Sequence, residues 1–86
     1  MSELPAHRLK RLQMRSMRRG IKEMDILLSA YAERTLATMG PADLDLYDLL
    51  LQENDQDLYQ WVTGQVAAPD RFSALIDDIA QTHQKE

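Results

Sequence analysis

The chain has 86 residues, no cysteine and a formal net charge of −4. One domain fits that length, with about 60–65% of the unfolded surface buried, which leaves no room for a large substrate cavity. The missing cysteines exclude disulfides, thiolate zinc sites and thiol catalysis, and no apolar run approaches the roughly 18 residues of a membrane span.

The charges are unevenly spread. Residues 1–22 hold seven basic side chains against the single acid Glu3, whereas residues 23–86 hold three basic and thirteen acidic ones. This pattern predicts a basic end on an acidic body. A nucleic-acid arm, a mitochondrial presequence and a basic helix that docks on an acidic partner surface all fit it. No base-reading helix or interleaved aromatics follow, and Leu9 and Leu12 lie one turn apart as if the segment belonged to the fold. The docking reading is therefore preferred.

The elements are read in chain order. Residues 5–18 form a first helix ending in Arg18-Arg19, and Gly20 turns the corner at positive φ. Ile21, Met24, Leu28, Tyr31, Thr35 and Met39 then line one face of a helix of about 17 residues, widened by Leu27 and Leu36. Gly40-Pro41 ends it and starts a third helix that runs to Glu53, with Leu44, Tyr47, Leu50 and Leu51 inward. Asn54-Asp55 breaks that helix and caps a fourth, from Gln56 to Thr63, in which Leu58, Trp61 and Val62 face the core and Tyr59 faces solvent. Gly64 closes it, and Phe72, Leu75, Ile76, Ile79 and His83 define a fifth. The expected fold is an all-α, single-domain bundle of five short helices over residues 1–86, frayed at 1–4 and 82–86.

Arg19-Gly20-Ile21-Lys22-Glu23 stands out within this frame. Glu23 falls in the first turn of the second helix, where the dipole favours an anion and free N–H groups are in reach. The spacing predicts an exposed Arg19–Glu23 pair at the corner, a compact docking feature with a guanidinium fork beside a carboxylate. The same residues also fit a C-cap glycine and a capping glutamate. Met14 and Met17, which flank the basic residues, are the surface candidates among the methionines. Catalytic chemistry has little to work with: His7 and His83 lie at opposite ends, and Asp43, Asp45, Asp48, Asp55 and Asp57 read as ordinary acids near helix starts. Asp55-Gln56-Asp57 fails as a calcium loop, with Gln60 at the sixth position and Val66 at the twelfth.

Arg19-Gly20-x-x-Glu23, followed by Met24-Asp25 and Ile26-Leu27-Leu28, resembles the signature of the SdhE-type succinate dehydrogenase assembly factors. The stretch Glu53-Asn54-Asp55-Gln56-Asp57-Leu58-Tyr59-Gln60-Trp61-Val62 is similar to the second block of that family. Met17 replaces a frequent aromatic residue, and the turn at 54–57 lacks a frequent proline. The resemblance implies an assembly factor with no active site, no metal and no tightly bound cofactor. Such a factor binds the flavoprotein subunit of succinate dehydrogenase, and in some bacteria fumarate reductase, while FAD becomes covalently attached to that subunit. It implies partner-binding roles for Arg19, Gly20 and Glu23, with Arg15, Arg18 and Asp25 as supporting contributors. A monomer when free, with no nucleic acid and no membrane insertion, is expected. The motif lies 19 residues from the start of the chain, which favours a bacterial cytoplasmic protein. The alternative reading is a small regulatory module that binds nucleic acid through the basic first helix.

Overall fold

Three of the helices start where the sequence offers an explicit start signal. In the computed structural model, which describes residues 4–84, α1 spans Pro5–Arg15, α2 Lys22–Thr35, α3 Pro41–Leu50, α4 Asp55–Val62 and α5 Asp70–Gln84. Proline occupies the first turn of α1 and α3, where a missing N–H costs nothing. Asn54 caps α4 by accepting a hydrogen bond from the Asp57 N–H at 2.9 Å. Gly64, at φ 82°, ends the turn beyond α4 as expected. A 3₁₀ turn, Leu36–Thr38, extends α2 and accounts for the long helical pattern seen in the sequence. Among the described residues all regular structure is helical, so the all-α expectation holds. The residues expected to fray lie partly outside those described, and α5 runs to Gln84.

The chain folds around one apolar cluster fed by every helix. Leu12, Met24, Leu28, Tyr47, Leu50, Leu58 and Phe72 have no exposed surface. The Tyr31 and Tyr47 rings meet at 5.8 Å between centroids. A radius of gyration of 12.3 Å matches the roughly 12 Å of a compact chain this long. The inward position expected of His83 lies outside the described side chains.

Two helices end sooner than the sequence suggests. Residues 16–18 leave α1 as a turn, and α3 stops at Leu50, so that a connection at 51–54 hands the chain to α4. Trp61 is half-buried and rests on Phe72 at 6.1 Å between ring centroids, which corrects its expected place inside the core. In a helix of eight residues Leu58 takes the inward position, and the bulky indole covers the core edge. Tyr59, expected to face solvent, is half-buried against the same cluster.

Candidate functional site

The turn between α1 and α2 is pinned from beneath by a buried polar knot. Ser16 is fully buried; its hydroxyl lies 2.8 Å from the Leu12 carbonyl oxygen and 2.6 Å from the Tyr47 hydroxyl. Ser29 of α2 donates to the Ser16 carbonyl at 3.3 Å. The corner is thereby tied to its own helix, to α3 and to α2. Burial pushes the Tyr47 phenol up to about 12, although Ser16 and the nearby Arg19 charge pull the other way.

Above that knot the backbone departs from the sequence reading. Arg18, not Gly20, holds the left-handed conformation, with φ 55°. A non-glycine residue there carries a steric cost that the surrounding contacts must hold in place. Gly20 serves a different need, because its N–H donates to Asp55 Oδ2, and a Cβ added at Gly20 would sit 3.1 Å from that oxygen. Glycine is therefore favoured here by close approach rather than by positive φ, since an added Cβ would require the carboxylate to give way by a few tenths of an ångström.

Arg19 is engaged inside the fold. Its Nε donates to Asp55 Oδ1 at 2.7 Å, and its terminal nitrogens donate to the carbonyls of Arg15 at 2.9 Å, Leu51 at 3.3 Å and Glu53 at 3.4 Å. The side chains of Arg19 and Asp55 are only 11% and 15% exposed. Asp55, at the start of α4, thus uses one carboxylate oxygen for Arg19 and the other for the next backbone N–H. The expected Arg19–Glu23 pair does not form, because Asp55 and the carbonyls at the end of α3 occupy the guanidinium. Among the described residues Glu23 forms no ion pair or hydrogen bond and stands exposed in the first turn of α2, so it is not a capping residue either.

The other candidates are divided between fold and surface. Arg15 is exposed and sits 3.9 Å from Asp48. Asp25 is half-buried and accepts from the Ser29 hydroxyl at 3.2 Å. Arg18 is exposed beside Met14 and Met17, both of which lie at the surface as expected. The α1 arginines, predicted to offer a basic face to a partner, meet the acids of α3 instead. Arg8 pairs with Asp45, and Arg11 binds Asp48 through two nitrogens at 2.9 and 3.2 Å. Arg11 holds the Asp48 carboxyl below the usual carboxylate range. Much of the charge asymmetry is resolved within the molecule, since the basic helix docks on its own acidic neighbours.

Glu23 also borders an apolar groove of 390 Å³, lined by Ile26 and Leu27 of α2, Tyr59 and Val62 of α4, and Ala80 of α5. Ile26 is 55% exposed there. Among the described residues no three carboxylate or imidazole groups are placed to hold a metal ion, and no helix is long and apolar enough to cross a membrane. Sequence reasoning treated Asp55 as a helix-start acid and missed it as part of the corner. Its place in the second sequence block was the only available signal.

The family model described as flavinator of succinate dehydrogenase matches residues 10–83, a range that holds the corner, Asp55 and the groove. Among curated proteins, the chain is 38% identical over 84 residues to a protein of Debaryomyces hansenii named succinate dehydrogenase assembly factor 2, mitochondrial, covering 88% of this chain and 59% of that one. It is 41% identical over 75 residues to the protein of the same name from Aspergillus terreus, covering 87% of this chain and 25% of that one. The counterpart from Candida glabrata is 51% identical over 53 residues, which cover 62% of this chain and 35% of that one. The chain thus spans between a quarter and three-fifths of the length of these relatives. Their names overturn the expectation of a bacterial cytoplasmic protein, since the relatives are mitochondrial. The distance from the motif to the start of the chain carries no physical information about compartment.

Proposed function

Because the chain belongs to the family of flavinators of succinate dehydrogenase, we propose that it binds the flavoprotein subunit of that enzyme and promotes covalent attachment of FAD there. The observation that carries this reading is the unengaged Glu23 carboxylate, set beside an apolar groove on a corner whose backbone is fixed by Asp55. A rigid corner loses little conformational entropy when it binds.

The chain acts as a binding partner with no active site and no tightly held cofactor of its own. It binds one arrangement of the flavoprotein better than others and raises the population in which flavin and its acceptor side chain are within reach of each other. The acceleration is limited to the ratio of affinities for the two arrangements, about tenfold for each 1.4 kcal/mol. A fumarate reductase flavoprotein is a second client of the same kind. Glu23 makes the direct contact, and Arg18 and the half-buried Asp25, which line the neighbouring groove between α1 and α2, are supporting contributors. The alternative nucleic-acid reading loses support, because Arg8, Arg11, Arg15 and Arg19 face acids of the same chain.

The test uses the purified flavoprotein subunit and free FAD, with covalent flavin read by in-gel fluorescence. The chain is expected to speed its appearance, and Glu23→Ala to lose that effect while melting within a few degrees of the parent. Equal flavin incorporation with and without the chain would overturn the proposal.

A further inference from the structure

The two halves of the sequence signature meet at one side chain. Asp55 stands 36 residues beyond Arg19 and 35 beyond Gly20, yet its two oxygens are occupied by the Arg19 Nε and the Gly20 N–H. We infer that Asp55 is the positioning residue of the corner: it fixes residues 19–20 so that Glu23, three residues on, is presented at a set place beside the groove, while Arg19 stays within the fold. This rests on the partner-binding reading above and deepens it.

Three observations converge on the inference. The Arg19 side chain is mostly buried, and its donors are directed to Asp55 and to the carbonyls of Arg15, Leu51 and Glu53, so little of its fork is left for a partner. A partner taking Arg19 would leave the Asp55 carboxylate largely buried without its counter-charge. The Gly20 N–H belongs to the segment between two helices, where no helical carbonyl is in register to receive it. Asp55 supplies that acceptor. The segment that leaves Gly20 is short as well: Ile21 is extended at φ −112° and ψ 126°, and α2 begins at Lys22. A displacement at Gly20 is therefore passed directly to the first turn of α2 and to Glu23.

The test compares Asp55→Asn, Gly20→Ala and Glu23→Gln in the full chain, by amide hydrogen exchange at residue 20 and by affinity for the recombinant flavoprotein subunit. Asp55→Asn keeps the shape but cannot accept from two donors in the same way. It is expected to speed exchange at Gly20 by at least about tenfold, equivalent to losing one hydrogen bond to a charged group, and to weaken partner binding by a similar factor. Gly20→Ala keeps every charge and presses a methyl group against the carboxylate. It should weaken binding in the same direction, and the double variant should be no worse than Asp55→Asn alone, because both unmake the same contact. Glu23→Gln should weaken binding while leaving exchange at Gly20 unchanged, a separation that a general loss of stability would not produce.

Partner affinity equal to the parent in an Asp55→Asn protein whose Gly20 exchange has accelerated would overturn the inference. So would a Gly20 amide that exchanges at the unprotected rate in the parent chain. If the parent chain binds no flavoprotein subunit, the proposed function falls, while the exchange measurements still decide whether Asp55 holds the corner.

Discussion

Two of the arginine–aspartate pairs along the first helix share the same chemistry in very different surroundings. Arg8 meets Asp45 near the start of α1, where the two side chains are 22% and 68% exposed, and Arg19 meets Asp55 just past its end, where they are 11% and 15% exposed. Water solvates the Asp45 carboxylate whether or not Arg8 is present, so that pair contributes little to folding. Asp55 has lost most of its water and relies on Arg19 and the Gly20 N–H in its place. One pair decorates the surface and the other determines the course of the backbone. Arginine–aspartate chemistry alone does not distinguish them; the difference comes from desolvation and from the backbone groups that share the carboxylate.

The sharpest way to break this comparison is to remove one partner from the buried pair. Arg19→Ala leaves a mostly buried carboxylate without its counter-charge and is expected to lower unfolding stability by about 3 kcal/mol. Urea denaturation measures this directly. An exposed Arg19–Glu23 pair would have made the same change nearly neutral, so a loss under about 1 kcal/mol would return Arg19 to the surface.

The knot beneath the corner gives a smaller and pH-dependent effect. Tyr47→Phe removes the hydroxyl paired with Ser16 and should cost about 1 kcal/mol near neutral pH, because Ser16 keeps its bond to the Leu12 carbonyl. The folded phenol is raised from 10.0 to about 12, so its contribution is fully present below pH 10 and is lost as pH rises through 12. Tyr31 is raised in the same direction, first by burial and then by its hydrogen bond to Asp78. Stability should therefore fall steeply between pH 10 and 12, and less steeply in Tyr47→Phe. Thermal melts across that range would show it, and superimposable profiles would remove the phenol from the knot.

The smallest change is expected at the exposed pair. Asp45→Asn should shift stability by under about 0.5 kcal/mol. Even that difference should vanish in 1 M salt, where the Debye length is about 3 Å, whereas the cost of Arg19→Ala should persist. Melting of the two variants in low and high salt tests both statements, and equal salt sensitivity would mean that the two pairs are alike after all.

Those features that depend on neighbours along the chain were legible without coordinates. The apolar spacing of Met24, Leu28 and Tyr31, the Gly40-Pro41 boundary, the Asn54 cap and the Gly64 turn each act within about one helical turn, and all of them recur in the structure. The family was equally legible, because the resemblance rested on a pattern of residue types along the chain. Tertiary structure decided which charges meet. Arg19 and Glu23 lie four residues apart in sequence, but the packed fold sets the start of α4 against the turn that follows α1, so Asp55 reaches the guanidinium first. The same packing also allows Arg18 to hold positive φ while glycine is kept for close contact. Ion pairing is set by distance and desolvation between helices, and neither is encoded in the local spacing of a chain. For that reason the sequence by itself determined the helices and the family of this protein, and only the packed fold decided that Arg19 is held inside while Glu23 is left free.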